Sequence, residues 1–521
     1  MKKTFLVPFA SLTLLSLLPC IAFAGPSDIV PRGSIAYDLL GSLAAQGALS
    51  GLTLRDFFRG DRLYTRAEFA DFVRQLRRGL TEESSRPNIS PQDRIALKVL
   101  ENEFSVELGG SALTRGSDPV QIRLTGAVKA RGLTDPAAAS GIARVSAVAP
   151  IGRDSYAALM VGNFRDEWYD KSAPRKGGYP PIETAYIRSN GRALDVIVGR
   201  MPLRWGPGYV GGMLLSDDAV SLNQIRVEKA FRLPGNLGRR AGLLRFEQFN
   251  AQFFEDDVSG APDYARGTRR YLLGRRIETA GDGRFSLSLG EAFKSTRLPS
   301  PILANILPFY VYQAEWTKTS RRRFLGGLVS GALPDTGWLN YLGDINLTYR
   351  ADQRGMVVYG DLLLDDVKAP EGFGLEGPAP PQKLGAQLGV YAPDLGSLGG
   401  KYGLRLEFTT IDVGTYANAS PPVAYNENGV SIGHPAGPNA QVYFGRFDVA
   451  ASPKLKLAIE GTIRRRKDTG SPAPKSDRLG LYASYAVRRN AFVGARFEHS
   501  RQQNGAVTSG DRAEINAGFG F

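Results

Sequence analysis

The sequence predicts a mostly β protein: an antiparallel transmembrane β-barrel of roughly 16–18 strands, preceded by a small α-helical module. Three observations predict it. Many segments after Gln121 alternate apolar and polar residues with period 2, as in Tyr402, Leu404, Leu406 and Phe408 against Gly403, Arg405, Glu407 and Thr409. The polar face is unusually charged, which suits a water-filled lumen better than a surface sheet. No run after Ala24 approaches the roughly 20 apolar residues that a spanning helix needs, so a membrane location requires a closed barrel.

The chain opens with Lys2 and Lys3, an apolar stretch from Phe5 to Ile21, and Ala22-Phe23-Ala24. That pattern predicts a cleaved secretory signal peptide over residues 1–24. Cys20 is the one cysteine, so the mature chain is expected to hold no disulfide, thiol nucleophile or thiolate metal site. The formal net charge is +14, and an exported basic chain meets acidic glycans or lipid headgroups rather than nucleic acid. Simple solubility is the other reading of that charge.

Residues 25–110 read as a helical periplasmic module. Ile35, Leu39, Leu40, Leu43 and Ala44 form a helical stripe that Gly47 ends. Thr65 and Glu68 have capping-box spacing, and Phe69, Phe72, Val73 and Leu76 follow on one face. A third helix starts at Ser90 with Pro91 in its first position and runs to about Leu108. "SIAYDLLGSLAAQGALSG" and "FFRGDRLYTRAEFADFV", between Ile29 and Leu76, resemble the S-layer homology module. That resemblance implies attachment to a peptidoglycan-linked polymer, with Arg66 of the Thr65-Arg66-Ala67-Glu68 motif contacting anionic sugar groups. A plain helical bundle explains the same residues.

Residues 120–521 read as the barrel. Leu455, Leu457, Ile459 and Ile463 alternate with Lys456, Glu460, Thr462 and Arg464, and a turn is expected near Arg489-Asn490. The chain closes on "EINAGFGF", with Ile515, Ala517, Phe519 and Phe521 on one face. This ending resembles the C-terminal signal of bacterial outer-membrane barrels. Arg269-Arg270, Arg275-Arg276, Arg321 to Arg323 and Arg464 to Lys467 are expected at or beyond strand ends, facing anionic phosphates or snorkelling at the membrane interface.

After the strand-like Leu194 to Gly199 comes "GRMPLRWGPGYVGGMLLSDDAVSLNQIRV". Trp205-Gly206-Pro207-Gly208 predicts a rigid loop folded against the barrel wall or inside the lumen. This stretch, with "YGDLLLDDV" (Tyr359 to Val367) and "GDINLTYRADQRG" before it, resembles the Wzi family of capsule-assembly proteins. It departs from the family at Asp217-Asp218. The resemblance implies an outer-membrane barrel lectin that holds capsular or other surface polysaccharide, without catalysis. Trp205, Arg226, Asp361, Asp365 and Asp366 are the expected polysaccharide contacts, through an aromatic face, carboxylates and a guanidinium. The rival reading makes Trp205 a packing anchor and Asp365-Asp366 a strand-end pair.

Enzyme readings find little support. The histidines are His434 and His499, there is no Gly-x-Ser-x-Gly elbow, and no His/Asp cluster has metal-ligand spacing. No cofactor or metal is expected. The main functional rival is a wall-anchored porin for anionic solutes.

Overall fold

The computed structural model describes residues 35–45, 64, 66–82, 91–104, 108, 121–131, 139–152, 155–162, 182–190, 194–216, 221–236, 242–253, 270–279, 285–296, 339–351, 355–365, 383–393, 395, 402–417, 423–427, 430–452, 455–466, 475–488, 491–504 and 506–520. The expected signal peptide lies outside them. Three helices come first: α1 (Ile35–Ala45), α2 (Arg66–Glu82) and α3 (Pro91–Glu103). The apolar stripes read from the sequence bury one another. Phe69 stacks on Phe104 with ring centroids 5.1 Å apart, and Tyr37 meets Phe69 edge-on at 4.9 Å. Leu40, Val73 and Leu100 fill the remaining core.

The strands follow in order. They are β1 (Gln121–Arg131), β2 (Ala139–Gly152), β3 (Ser155–Gly162), β4 (Ile182–Asn190), β5 (Asp195–Met201), β6 (Leu222–Arg232) and β7 (Leu243–Gln252). Next come β8 (Tyr271–Thr279), β9 (Phe285–Ser295), β10 (Leu339–Arg350), β11 (Val357–Asp365), β12 (Lys383–Ala392) and β13 (Tyr402–Ile411). A short hairpin, β14 (Asn426–Glu427) and β15 (Val430–Ser431), stands apart from the large sheet. The series ends with β16 (Ala440–Ala450), β17 (Leu455–Arg466), β18 (Lys475–Arg488), β19 (Ala491–Asn504) and β20 (Ala506–Gly520).

Among the described residues the large sheet has 18 strands, each antiparallel to the next. It closes where β1 meets β20, with Leu124 opposite Phe519 and Val128 opposite Ile515. Closure removes both edges and satisfies the backbone internally, as hydrocarbon demands. Side chains alternate across the wall. Leu388, Leu406, Leu481 and Ile459 point outward and are exposed, whereas Gln387, Glu407 and Arg405 point inward and are buried.

Both chain ends of the barrel lie at one rim. The connections at that rim are the shorter set, from 153–154 and 489–490 up to 233–242. Connections at the far rim include 202–221, 296–338 and 412–439. The basic pair Arg275-Arg276 sits within β8 rather than at a strand end. Arg276 points into the lumen because a carboxylate partner waits there. Arg464, Arg465 and Arg466 do end β17, and Arg270 precedes β8. Arg269, Arg321 to Arg323 and Lys467 lie outside the described residues.

The helical module touches the barrel at the rim with the chain ends. Glu68 Oε1 lies 3.2 Å from Arg188 Nη1, and Arg188 Nη2 lies 3.2 Å from Asp195 Oδ2. The Arg188 side chain is 4% exposed, so this pair is shielded from solvent, unlike the exposed Arg77–Glu101 pair. Glu68→Ala should weaken docking by about 1–3 kcal/mol. The expected readout is faster proteolytic release of the helical fragment, with unchanged heat-modifiable mobility of the barrel.

Candidate functional site: a plugged lumen

Two segments enter the lumen from the far rim: 202–216 after β5 and, after β13, residues 412–417, 423–427 and 430–439. An irregular chain inside a closed barrel cannot give its N–H groups to a sheet ladder, so the wall must accept them. The first segment is pinched shut where Trp205 N–H donates to Leu215 O at 3.0 Å. Within it, Gly206 has φ of 111°, in the left-handed region, and a Cβ there would meet Asp361 Oδ2 at 2.6 Å. A Cβ on Gly212 would lie 1.8 Å from Trp205 O. The glycines of the Trp-Gly-Pro-Gly stretch therefore permit this fold by close approach.

Three wall carboxylates hold the plug. Glu407 accepts from Tyr209 N at 2.6 Å, Val210 N at 3.1 Å, Tyr359 Oη at 2.8 Å and Gln387 Nε2 at 3.0 Å. Asp361 accepts from Met213 N at 3.2 Å and from Asn346 Nδ2 at 2.8 Å. Asp365 accepts from Tyr416 N at 2.7 Å. Carboxyl groups suit this role, since their two oxygens can accept several bonds at once.

Trp205 is fully enclosed, at 0% exposure. Its Nε1 donates to Glu247 Oε1 at 3.0 Å, Phe249 meets it edge-on at 5.3 Å, and the Arg276 guanidinium lies 5.2 Å over its ring. Arg226 belongs to the same network. Its Nη2 is 2.6 Å from Glu228 Oε1 and 2.9 Å from Glu247 Oε1, and Arg276 Nη2 reaches Glu247 Oε2 at 2.7 Å.

The second segment packs on the first. Tyr416 Oη donates to Met213 O, His434 N–H donates to Tyr416 Oη at 3.1 Å, and Ser216 N–H to Ile432 O at 2.8 Å. Lys294 Nζ donates to Ala424 O at 3.0 Å, and Arg464 Nη2 to Ala436 O at 2.5 Å. Burial, with Arg464 and Arg204 nearby, lowers the His434 pKa to about 3. Ala436 N–H donates to its Nδ1 at 3.2 Å, which leaves the ring proton on Nε2.

The released loop would titrate near 6.5, so between 6.5 and about 3 it takes up a proton that the packed plug refuses. Plug stability is thus complete above pH 6.5 and falls as pH drops through that window. Bilayer current should rise on acidification from neutral to about pH 4, and His434→Gln should remove the histidine-linked part of that rise.

Below the plug, arginines and tyrosines alternate across the lumen. Arg405 lies 4.1 Å from the Tyr391 ring and 4.3 Å from that of Tyr209. Arg446 lies 5.5 Å from both Tyr209 and Tyr482, and Arg496 lies 4.6 Å from Tyr482. Inward residues of β17–β19 are less covered: the Glu460, Arg496 and Arg478 side chains are 14%, 22% and 27% exposed. The plug fills the side of the lumen nearer β5–β16 and leaves a polar strip opposite.

The structure brings Trp205 and Arg226 into one cluster and puts Asp361 and Asp365 under the plug. All four are enclosed and engaged by protein groups. In this arrangement the Trp205 ring has no face open to a sugar; it packs. Arg66 opens α2, and its side chain, like Asp217, Asp218 and Asp366, lies outside the described residues. Sequence reading missed Glu247, Glu407, Gln387 and Tyr416. The one signal for Glu407 was its place on the polar face of an alternating strand.

A closed 18-stranded barrel with an apolar outer face and loop segments bonded to its inner wall is an outer-membrane barrel with a partly filled lumen. It shares this fold with Wzi of Escherichia coli, described as an outer-membrane protein involved in group 1 capsule assembly and a carbohydrate-binding β-barrel. The two are 14% identical over 95% of this chain and 99% of that one, with a TM-score of 0.61. Pseudomonas aeruginosa OpdO is 10% identical over 77% of this chain and 96% of its own, with a TM-score of 0.44. Pseudomonas aeruginosa OpdK is 9% identical over 77% and 98%, with a TM-score of 0.43. No protein-family model and no curated protein matches the chain.

Proposed function

We propose that this chain is an outer-membrane barrel lectin that helps assemble or retain capsular or other surface polysaccharide, and that it performs no catalysis. The observation that carries the reading is the plug. Wall carboxylates spend their acceptors on loop backbone, which narrows a path that a diffusion channel would keep wide. The shared fold with a carbohydrate-binding barrel supports the same reading. Trp205, Arg226, Asp361 and Asp365 then act by fixing the loops that form the polymer-facing surface, and Asp366 remains a proposed direct polysaccharide contact.

Orientation follows from the rims. The short turns and both chain ends belong on the periplasmic side, and the long connections on the outside. On this proposed orientation the helical module faces the periplasm, where the Arg66 motif would offer a contact for peptidoglycan-linked polymer. The leader at residues 1–24 provides export.

Two measurements on the purified protein separate lectin from porin. The lectin reading expects little steady current in planar bilayers and retention of purified surface polysaccharide on a column. Large steady conductance with no polymer retention would establish the porin for anionic solutes instead.

A further inference from the structure

Two features outside the plug share one stretch of outer wall. The first is an apolar groove of about 540 Å³ across β16–β20. Phe447, Leu457, Leu481 and Phe497 are among its lining residues, together with the small Ala483 and Ala495. Their outward direction follows from the exposed Leu457, Ile459, Leu481 and Val493 on the same strand faces. The small residues stand where bulkier neighbours would close the surface.

The second lies on the same faces toward the far rim. Arg465 stands opposite Lys475, and Asp477 opposite Arg501. Opposite positions lie about 5 Å apart and diagonal ones about 7–8 Å, so three cations surround one acid. Lys475 Nζ is 2.9 Å from Asp477 Oδ2, which leaves a net positive patch. Arg465 lies 5.8 Å over the ring of Tyr443, itself outward and 41% exposed. An outward tyrosine, with an apolar ring and a polar hydroxyl, suits the level where hydrocarbon gives way to headgroups. The cations therefore stand at headgroup level, and the groove runs below them at acyl-chain level.

We propose that this wall is a binding site for a phosphorylated, multiply acylated glycolipid of the outer leaflet, of the lipid A type. Arg465, Lys475 and Arg501 take its phosphates, and the groove takes one acyl chain. A cluster of three cations suits a bisphosphorylated headgroup better than a single phosphodiester. The assignment rests on the orientation proposed above, but not on polysaccharide binding.

The test uses the full folded protein in phosphatidylcholine nanodiscs doped with bisphosphorylated lipid A, dephosphorylated lipid A or phosphatidylglycerol. Native mass spectrometry counts the lipid that stays bound after ejection. The wild type should retain bisphosphorylated lipid A and release the other two. Combining Arg465→Ser, Lys475→Ser and Arg501→Ser should lower retention at least tenfold. Ala483→Phe with Ala495→Phe should lower it comparably, with the cations intact.

Wild-type retention by the charge variant would overturn the proposal, as would phosphatidylglycerol held as well as lipid A. Full retention by the groove variant would remove the acyl-chain site. Orientation has its own readout: an impermeant maleimide should label Thr508→Cys on intact cells. Absence of labelling there would overturn the outer-leaflet assignment while leaving the polymer column result standing.

Discussion

Trp205→Ala is expected to open the plug without unfolding the barrel. Removing a fully buried aromatic side chain of this size costs about 3–5 kcal/mol. The variant also takes a hydrogen-bond donor from Glu247 and the ring from beneath Arg276. None of the 18 strands depends on Trp205 for its ladder, whose backbone partner is Leu215 within the same loop. Heat-modifiable mobility should therefore persist. Steady bilayer current should appear, and column retention of surface polysaccharide should fall, because the loops that display the binding surface lose their anchor. A variant that stays closed and retains polymer normally would show that Trp205 is dispensable to the plug.

Glu407→Ala should release the tip of the same loop. Glu407 gathers four donors, two of them the backbone N–H groups of Tyr209 and Val210. Each buried donor left without a partner costs about 1–3 kcal/mol, so the loss should exceed about 3 kcal/mol even if water reaches part of the site. Tyr209 would then be held by Arg446, whose Nη1 donates to its hydroxyl at 2.6 Å, and by the Arg405 stack. Glu407→Gln keeps one acceptor oxygen and should be milder. The expected signature is a flickering current for the alanine variant and a smaller one for the glutamine variant. Equal, near-zero currents in both would mean that the tip is fixed by the arginines and tyrosines.

The barrel was legible because its physics is local. A half-lipid, half-lumen wall forces period 2, and Tyr402 to Thr409 or Leu455 to Arg464 display it in a few residues. The three helices were legible for the same reason, since their stripes and start signals lie within single segments. The rigidity of the Trp-Gly-Pro-Gly loop was also readable, and its course was narrowed to the barrel wall or the lumen. Its partners were not. Glu407 meets Tyr209 across 198 positions and Asp361 meets Met213 across 148, and no local pattern selects one wall carboxylate over another.

The same limit explains Trp205. Its residue type suits a sugar platform, and its surroundings, Glu247, Phe249 and Arg276, come from two later strands that the sequence does not place beside it. Arg275-Arg276 lies within β8 rather than at the expected strand end, and a basic pair in mid-strand is costly unless it is partnered. Glu247 and Glu291 offset that cost, one on each face of the wall.

The most direct measurement is the fate of surface polysaccharide in a strain that lacks this protein. Polymer should still be made in normal amounts, much of it should be shed to the medium, and the intact gene should restore attachment. Normal attachment in the deletion strain, with reduced uptake of anionic solutes, would contradict it.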